Sequence, residues 1–500
     1  MRTLFTAERH GLPLSPSDGE RVGVMGAACK NALLLKSLVL FALLLAGELT
    51  APRAGDSSAA TPTTQSCPQW LRDGVIYEIF PRHFSAAGNF NGITARLDEL
   101  KNLGVNILWI MPIHPIGTKF RKGDFGSPYS VRDYYAINPD YGTLADFKKL
   151  IAEAHKRDLK IIMDIVANHT AWDSVMMSHP EFYKHDNSGK IIPPVPEWTD
   201  VAGLNYSSPQ LRQYMLDMLK HWLKECDVDG FRSDVAYMVP TDFWEQARAE
   251  LKTIKPDIMF LAEANKPELL NKAFDIDYSW PLLATLNNVL VHGAPATDLR
   301  RTWEEDARQF PKGALHMRIT DDHDEARAIA RFGIRGALAA SVLMFTIDGV
   351  PLLYNGMEVG DATESGDPAL FDKLPIYWQP KERPPFRNIY RDLIKLRKQS
   401  PAFRNDRIVW LKNADEKNVV TFLREDDRDQ FLVAINFANR PGAAAVEVAH
   451  ASEFQPLKIN GMPEPPAADF PALHLGSFEW RIYRRPLVYR TGAAETEGLK

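Results

Sequence analysis

Eight short apolar runs alternate with amphipathic helical stretches between residues 75 and 354. Most of these runs are continuously apolar, which is typical of strands whose two faces are both covered. Strands that alternate with helices predict βα units, and eight such units predict an α/β fold of the closed (β/α)8 TIM barrel type. An open doubly wound sheet is the alternative, although no G-x-G-x-x-G follows the first run, which disfavours a dinucleotide-binding version. The runs are Val75–Phe80, Ile107–Pro112, Lys160–Val166, one that opens at Gly230–Phe231, Ile258–Ala262, Phe274–Tyr278, Leu315–Ile319 and Val350–Tyr354.

Two further segments depart from this alternation. A loop of about 40 residues, rich in Asp, His, Pro and Ser, follows the third run, and a loop of that length is usually functional. We interpret residues 168–206 as a small inserted lobe over the barrel mouth. After a helix predicted at 386–398, short strands separated by turns predict an antiparallel β-sandwich. The expected domains are a barrel at 68–400 that includes the lobe, a C-terminal β-sandwich at 401–486 and a tail at 487–500.

The first 67 residues are expected to hold a signal or anchor segment and a disordered linker. The apolar run Leu33–Ala46 is short for a membrane span but fits the apolar core of a signal sequence. The Pro/Ser/Thr/Ala-rich stretch Thr50–Gln65 that follows is typical of a linker. Cleaved export to the periplasm or the outside of the cell is favoured. Membrane association is expected only if the segment stays uncleaved as an anchor.

The composition excludes some classes of partner. The chain has 500 residues and a net charge of −5, so it offers no strong basic field to bind nucleic acid. Three cysteines, Cys29, Cys67 and Cys226, are too few for a disulfide framework. Cys67 and Cys226 could pair in an oxidising compartment, but two separate thiols are preferred. The oligomeric state is left open by the sequence.

Polar side chains follow four of the predicted strands. In a (β/α)8 enzyme the active site lies at the C-terminal ends of the strands. A single Asp at such a position is more often a helix cap or part of a loop salt bridge, and a lone His is usually a hydrogen-bond partner in the core. Four polar strand ends on one rim therefore indicate a catalytic site. The residues are Asn168 and His169, Arg232 and Asp234, Glu263, and Asp321, Asp322, His323 and Asp324.

Four of these segments resemble the signature regions of the α-amylase family of glycoside hydrolases (family 13). They are DIVANH (Asp164–His169), GFRSDVAY (Gly230–Tyr237), FLAEAN (Phe260–Asn265) and ITDDHD (Ile319–Asp324). A fifth, Gly126–Thr143, is similar to the stretch before the second barrel helix of that family. The resemblance extends from residue 70 to the end of the β domain. It implies a barrel, an insert after the third strand and a C-terminal β-sandwich, in agreement with the interpretation above.

The resemblance also assigns catalytic roles. It implies that Asp234 is the nucleophile, Glu263 the general acid/base and Asp324 the stabiliser of the transition state in a retaining reaction. Arg232 lies two residues from Asp234 in a strand, so both face the same way and the guanidinium should lower the pKa of the carboxyl. Glu263 follows an apolar strand and faces other acids, which should raise its pKa.

Substrate contacts are implied in the same way. The resemblance implies that Tyr129 stacks on a sugar ring and that His169 and His323 donate hydrogen bonds to sugar hydroxyls, with Arg232 beside them. Three other residues could line the site but could equally form surface salt bridges: Asp133, Arg327 and Asp367.

The sequence departs from the family pattern at two places. Asp322 stands where the family usually carries Asn, and Tyr237-Met238 stands where many α-amylases carry Lys-His. Members of the family hold a calcium ion near the second of these regions, and here Asn168 and Asp200 could supply oxygen ligands. No cofactor is required for the chemistry, and the two candidate ligands do not suffice to assign a metal site.

The function expected from the resemblance is retaining hydrolysis of α-glucosidic bonds, mainly α-1,4, in starch-like glucans or maltooligosaccharides. A transglycosylase with the same three carboxylates is one alternative. An inactive, membrane-anchored, glycan-binding member is another, but such a protein is expected to have lost catalytic residues.

Overall fold

Eight parallel strands form a closed barrel in the computed structural model, which describes residues 67–363, 365–379 and 385–487. The strand order around the barrel is β1-β10-β9-β8-β7-β6-β3-β2, and β2 pairs with β1 to close it. The prediction of a (β/α)8 barrel is confirmed, and the open doubly wound sheet is wrong. The barrel strands are β1 (Ile76–Ile79), β2 (Ile107–Ile110), β3 (Lys160–Ile165), β6 (Gly230–Ser233), β7 (Met259–Ala262), β8 (Ile276–Tyr278), β9 (His316–Arg318) and β10 (Val350–Tyr354); β4 (His169–Ala171) and β5 (Val201–Gly203) lie between β3 and β6 in the chain.

The barrel strands are continuously apolar because each has two buried faces. On β2, Ile107 and Trp109 belong to the cluster that fills the barrel, whereas Leu108 and Ile110 pack outward against the helices. Successive side chains of a strand point to opposite faces, so an apolar environment on both sides requires an unbroken apolar run.

Helices cover the outside of the barrel. Helix α5 begins with a capping box in which the Thr143 hydroxyl accepts the Asp146 N–H and the Asp146 carboxylate accepts the Thr143 N–H. Helix α11 is the one described helix long and apolar enough to cross a membrane, but two thirds of its most apolar window is buried within the fold. The described α-helices are α1 (Gln69–Arg72), α2 (Pro81–Phe84), α3 (Phe90–Thr94), α4 (Leu97–Leu103), α5 (Leu144–His155), α6 (Pro209–Cys226), α7 (Thr241–Ile254), α8 (Leu269–Lys272), α9 (Trp280–His292), α10 (Thr297–Gln309), α11 (Ala328–Thr346), α12 (Asp367–Phe371) and α13 (Phe386–Gln399).

The segment between β3 and α6 forms a small lobe around the antiparallel pair β4 and β5. His169 lies opposite Gly203 in this pair. Because β4 starts four residues after β3 ends, its first residue is held at the C-terminal end of the barrel. The lobe therefore presents His169 to the barrel mouth.

Between residues 400 and 487, seven strands follow the last α-helix and form two antiparallel sheets. Five of them pair in the order β11-β12-β13-β17-β15, and β14 pairs with β16. Two strands, β15 and β16, give only a weak apolar signal in the sequence, since β15 contains Pro456 and the pattern of β16 alternates. A buried apolar cluster that includes Leu432, Ala444 and Leu473 draws on both sheets. The strands are β11 (Ile408–Leu411), β12 (Val419–Glu425), β13 (Asp429–Asn436), β14 (Gly442–Ala445), β15 (Gln455–Pro456), β16 (Ala472–Leu475) and β17 (Trp480–Pro486).

Cys67 and Cys226 are separate free thiols. The predicted signal or anchor segment, Cys29, the linker as far as residue 66 and the tail from residue 488 lie outside the described residues.

Candidate active site

Arg232 lies at the centre of the polar cluster at the C-terminal end of the barrel. This side chain is fully buried on β6. Its Nη1 lies 3.0 Å from Asp164 Oδ1 and 3.2 Å from Asp234 Oδ1, and its Nη2 lies 2.8 Å from Glu263 Oε2. Asp234 and Glu263 each follow the last residue of their strands, β6 and β7. One guanidinium thus holds carboxylates from three neighbouring strands, as strand alternation and barrel closure require.

The two oxygens of each carboxylate differ in their partners. Glu263 Oε2 accepts the Val235 N–H at 2.7 Å and also contacts Arg232. Asp234 Oδ1 faces Arg232, whereas its Oδ2 is buried and has no hydrogen-bond donor among the described residues. Asp234 is therefore anchored by one oxygen and keeps the other for a ligand, whereas Glu263 is anchored through Oε2.

Val235 adopts a left-handed backbone conformation with φ +36° and ψ 48°. This conformation is strained for a β-branched residue and costs about 1–2 kcal/mol. It turns the Val235 N–H toward the Glu263 carboxylate, directly after Asp234. Strain of this kind is typical of functional sites, where the surrounding fold imposes it.

His323 links the loop after β9 to β1. Its Nδ1 lies 2.5 Å from Glu78 Oε1, and its Nε2 lies 2.7 Å from the Tyr129 hydroxyl and 3.2 Å from Asp324 Oδ2. Burial lowers the pKa of His323, but the carboxylates of Asp324 and Glu78 outweigh it and hold that pKa well above its usual value. His323 is thus a cation that donates from both nitrogens. Its charge outweighs the partial loss of solvent around the Asp324 carboxyl and lowers the pKa of that group.

His169 has the opposite character. Burial lowers the pKa of His169 to about 4, so the ring is neutral near pH 7. The Asn168 amide group lies 3.3 Å from Nδ1, and with Asn168 Nδ2 as donor the ring proton sits on Nε2. That nitrogen is 3.9 Å from Asp234 Oδ2. A neutral N–H donor therefore stands beside the unpartnered oxygen of Asp234.

The expectation of a lowered pKa at Asp234 is wrong for this structure. Burial, followed by repulsion from Glu263, raises the pKa of Asp234 well above its usual value, and Arg232 only opposes that rise. Burial also raises the pKa of Glu263. The charge of Arg232 opposes this rise, and the charge of Asp324 adds to it. The main reason is burial, and Arg232, which also contacts Asp164 and Glu263, does not offset it.

Asp322 is fully buried behind this cluster. Its Oδ1 accepts the N–H groups of Asp324 and Glu325 at 3.0 and 3.1 Å, and its Oδ2 has no partner among the described residues. Burial raises the pKa of Asp322 well above its usual value, with further contributions from the carboxylates of Glu78 and Asp324. A neutral Asp322 supplies the same acceptor oxygen as the Asn usual in the family.

Four residues of the cluster were missed by the sequence analysis. Asp164 accepts the Tyr129 hydroxyl and the Trp109 indole N–H, both at 3.1 Å, and Tyr278 lies 3.3 Å from Arg232 Nε. A charged residue inside an apolar run was the available signal for two of them, Asp164 and Glu78. Trp109 and Tyr278 carried no signal of their own. The members missed are Glu78, Trp109, Asp164 and Tyr278.

Two of the three other residues suggested as lining the site have different partners. Asp133 accepts the backbone N–H of Tyr135 within its own loop. Arg327 donates to the Asn355 carbonyl at 2.8 Å and lies 3.4 Å from Asp361 Oδ2. The third, Asp367, starts the short helix α12.

The two candidate calcium ligands have partners of their own in the chain. Asp200 Oδ1 lies 2.8 Å from the ammonium group of Lys122, so a cation of the chain already faces this carboxylate. Asn168 directs its amide group toward the His169 ring and the Met238 sulfur. In the part of the chain that the structure describes, no group of three or more His, Cys, Asp or Glu residues could hold a metal ion.

Similarity to known proteins extends over most of the chain. The model of the α-amylase catalytic domain matches residues 62–189 and 197–432. The α-amylase MalA of Haloarcula japonica is 30% identical over an alignment of 400 residues that covers 75% of this chain; the chain spans 57% of that relative's length. A maltogenic α-amylase, AmyB of Thermotoga neapolitana, has 30% identity and a TM-score of 0.76, over 84% of this chain and all of that structure. An α-amylase from Lactobacillus plantarum has 31% identity and a TM-score of 0.73, over 83% and 99% of the two chains. The chain therefore belongs to the α-amylase family of glycosidases, enzymes that hydrolyse O-glycosyl bonds.

Proposed function

We propose that this glycosidase cleaves α-glucosidic bonds, mainly α-1,4, in starch-like glucans or maltooligosaccharides and retains the anomeric configuration. The observation that supports the proposal most directly is that the carboxyl groups of Asp234 and Glu263 both contact one guanidinium, that of Arg232, at 3.2 and 2.8 Å. A double displacement requires two carboxyl groups beside the same sugar unit. The similarity to a maltogenic α-amylase supports a glucan substrate.

The pKa values of Asp234 and Glu263 are both raised, so the pair can hold one proton, and the first step proceeds from the form in which Glu263 carries it and Asp234 is ionised. Asp234 Oδ2 attacks the anomeric carbon as the bond to the leaving oxygen breaks. Glu263 transfers its proton to that oxygen, so the shortened glucan leaves as a neutral alcohol. Because Glu263 Oε2 accepts the Val235 N–H and contacts Arg232, the proton of the neutral acid sits on Oε1. The glycosyl group is then an ester of Asp234.

In the second step, water attacks the anomeric carbon and breaks the ester bond. The ionised Glu263 takes a proton from this water, and Asp234 leaves as a carboxylate, which restores the starting state. The buried guanidinium of Arg232 favours the ionised form of whichever carboxyl lacks the proton. A transglycosylase would differ only in using a sugar hydroxyl in place of water.

Asp324 is the ionised carboxylate that faces the positive charge of the transition state in this proposal. Its side chain is 41% exposed, the most open of the three, and its pairing with cationic His323 keeps it charged. His323, neutral His169 and the aromatic face of Tyr129 are the proposed contacts for the sugar in the cleavage subsite. Each presents a donor or an apolar ring face, which suits sugar hydroxyls and C–H groups.

The test is hydrolysis of maltoheptaose with the product anomer followed by NMR. We expect the α-anomer first, and a loss of rate by about two to four orders of magnitude in Asp234→Asn and Glu263→Gln. Initial release of the β-anomer would exclude retention. Normal turnover in Asp234→Asn would show that the nucleophile is elsewhere, and absence of turnover in the parent would favour an inactive, glycan-binding member. Products longer than the substrate would indicate transglycosylation.

We also propose that the protein is exported, from the apolar run Leu33–Ala46 and the linker composition that follows it. Fractionation of expressing cells, with N-terminal sequencing of the mature protein, tests this. A product confined to the cytoplasm with residues 33–46 intact would contradict it.

A further inference from the structure

A row of aromatic side chains leads from the catalytic cluster to the protein surface. The Trp198 ring lies 5.5 Å from the His169 ring, edge to face. The indole N–H of Trp172 donates to the carbonyl of Thr199, the residue after Trp198, at 3.0 Å. Phe120 continues the row, since its ring lies 6.0 Å from that of Trp172 at 90°. Exposure rises along the row, from buried His169 to Phe120, which is 61% exposed.

Phe120 is held outward at a cost to the fold. Its backbone has φ +61°, a left-handed conformation that costs a non-glycine residue about 1–2 kcal/mol. An exposed phenylalanine also forgoes the burial that usually stabilises such a side chain. A strained backbone that exposes an apolar ring does not stabilise the fold, which points to a binding role for Phe120.

The loop that carries Phe120 is fixed on both sides of it. Two residues before Phe120, Thr118 donates its N–H and its hydroxyl to the Asp173 carboxylate, at 3.0 and 2.8 Å. Two residues after it, Lys122 pairs with Asp200 at 2.8 Å. Asp173 and Asp200 both belong to the segment around β4 and β5. The ring of Phe120 is thus placed against this lobe, beside Trp172.

We propose that Trp198, Trp172 and Phe120 form an aromatic platform that binds glucosyl units of a long glucan beyond the cleavage subsite. The inference rests on the proposed function and adds a preference for long substrates. Aromatic faces suit the apolar faces of glucose units, and the continuity of the row with His169 identifies the occupant as the same chain that enters the active site. The platform lengthens the contact between enzyme and glucan without touching the reacting atoms.

The experiment compares maltoheptaose with maltotriose in Phe120→Asn. Asn tolerates left-handed backbone, so the variant keeps or gains thermal stability while it loses the ring. We expect the ratio of kcat/KM for the long over the short substrate to fall roughly two- to tenfold, mostly through KM, as the loss of one stacked ring implies. Phe120→Trp should restore the ratio. Val409→Ala, which trims an exposed apolar residue of the C-terminal sheet, is the control.

Binding of maltoheptaose by calorimetry, in an Asp234→Asn background, separates the two proposals. If Phe120→Asn weakens binding in the Asp234→Asn background, the platform is supported. This holds even if the parent enzyme hydrolyses neither substrate, because absence of hydrolysis would refute only the proposed function. An unchanged kcat/KM ratio together with unchanged binding would overturn the platform. Equal losses on both substrates would also overturn it, because they would place the effect at the catalytic cluster.

Discussion

Replacing Asp322 with Asn should stabilise the protein relative to the parent, by an amount that grows as the pH rises from the acidic range. In the folded state Asp322 is fully buried, and its pKa is raised well above its usual value, first by burial. Asn keeps the acceptor oxygen for the N–H groups of Asp324 and Glu325, has nearly the same shape and does not titrate. The variant therefore removes the titration with little change in packing.

The sign follows from proton binding. Above the unfolded pKa of about 3.9, the unfolded chain has lost the Asp322 proton while the folded protein still holds it, so the stability of the parent falls as pH rises. The stability of the parent keeps falling until the pH reaches the pKa of Asp322 in the folded protein. Below the pKa of Asp322 in the unfolded chain, there is no such fall. In that window the advantage of Asp322→Asn should grow by about 1.4 kcal/mol per pH unit, the slope for one proton.

The assay is reversible denaturant unfolding of parent and variant at pH 4, 5 and 6. The matched control is Asp186→Asn, because Asp186 Oδ1 also accepts two backbone N–H groups but is exposed, and its hydrogen bonds, led by that from Ser188, lower its pKa. Because Asp186 is ionised in both the folded and the unfolded protein above its unfolded pKa, the difference between the control and the parent should be nearly independent of pH in this range. A pH-independent difference between Asp322→Asn and the parent would refute the reasoning, since it would mean that Asp322 is ionised in the folded protein.

Three further predictions concern other parts of the chain. Tyr129→Phe leaves three buried partners, His323, Asp164 and Arg232, without the hydroxyl. The free energy of unfolding should therefore fall by about 1–3 kcal/mol, measured by denaturant titration; an unchanged value would mean that water replaces the hydroxyl. Because Lys122 faces Asp200, we propose that EDTA leaves activity and melting temperature unchanged, and a fall in either that calcium reverses would contradict this. Burial raises the pKa of Cys67 and raises that of Cys226 to about 11, so labelling of both native thiols by a disulfide reagent should speed up as pH rises from 7 to 9; a rate independent of pH would contradict it.

The sequence predicted the barrel because each barrel strand has a recognisable local sequence pattern. Runs such as Ile107–Pro112 are apolar at every position since both faces of the strand are covered, and the same rule places Asp234 and Glu263 at strand ends. Carboxylates that directly follow buried strands can be found without coordinates. The lobe was likewise visible as a polar stretch too long for a simple connection.

The carboxylates inside the runs were harder to interpret. Glu78 lies within β1 and contacts His323, 245 residues away in the chain. No local pattern connects these two residues, and only the closure of the barrel, where β1 pairs with both β2 and β10, brings them together.

The sequence by itself determined the strand and helix periodicity, the family and the identity of the strand-end carboxylates, because those depend on neighbours in the chain. The tertiary structure alone decided the charge states. Arg232 was expected to lower the pKa of Asp234, but burial and the neighbouring Glu263 raise it, and Arg232, which also contacts Asp164 and Glu263, does not offset them. Burial likewise raises the pKa of Asp322. Burial and the distances between charges set a pKa, and both are properties of the folded chain.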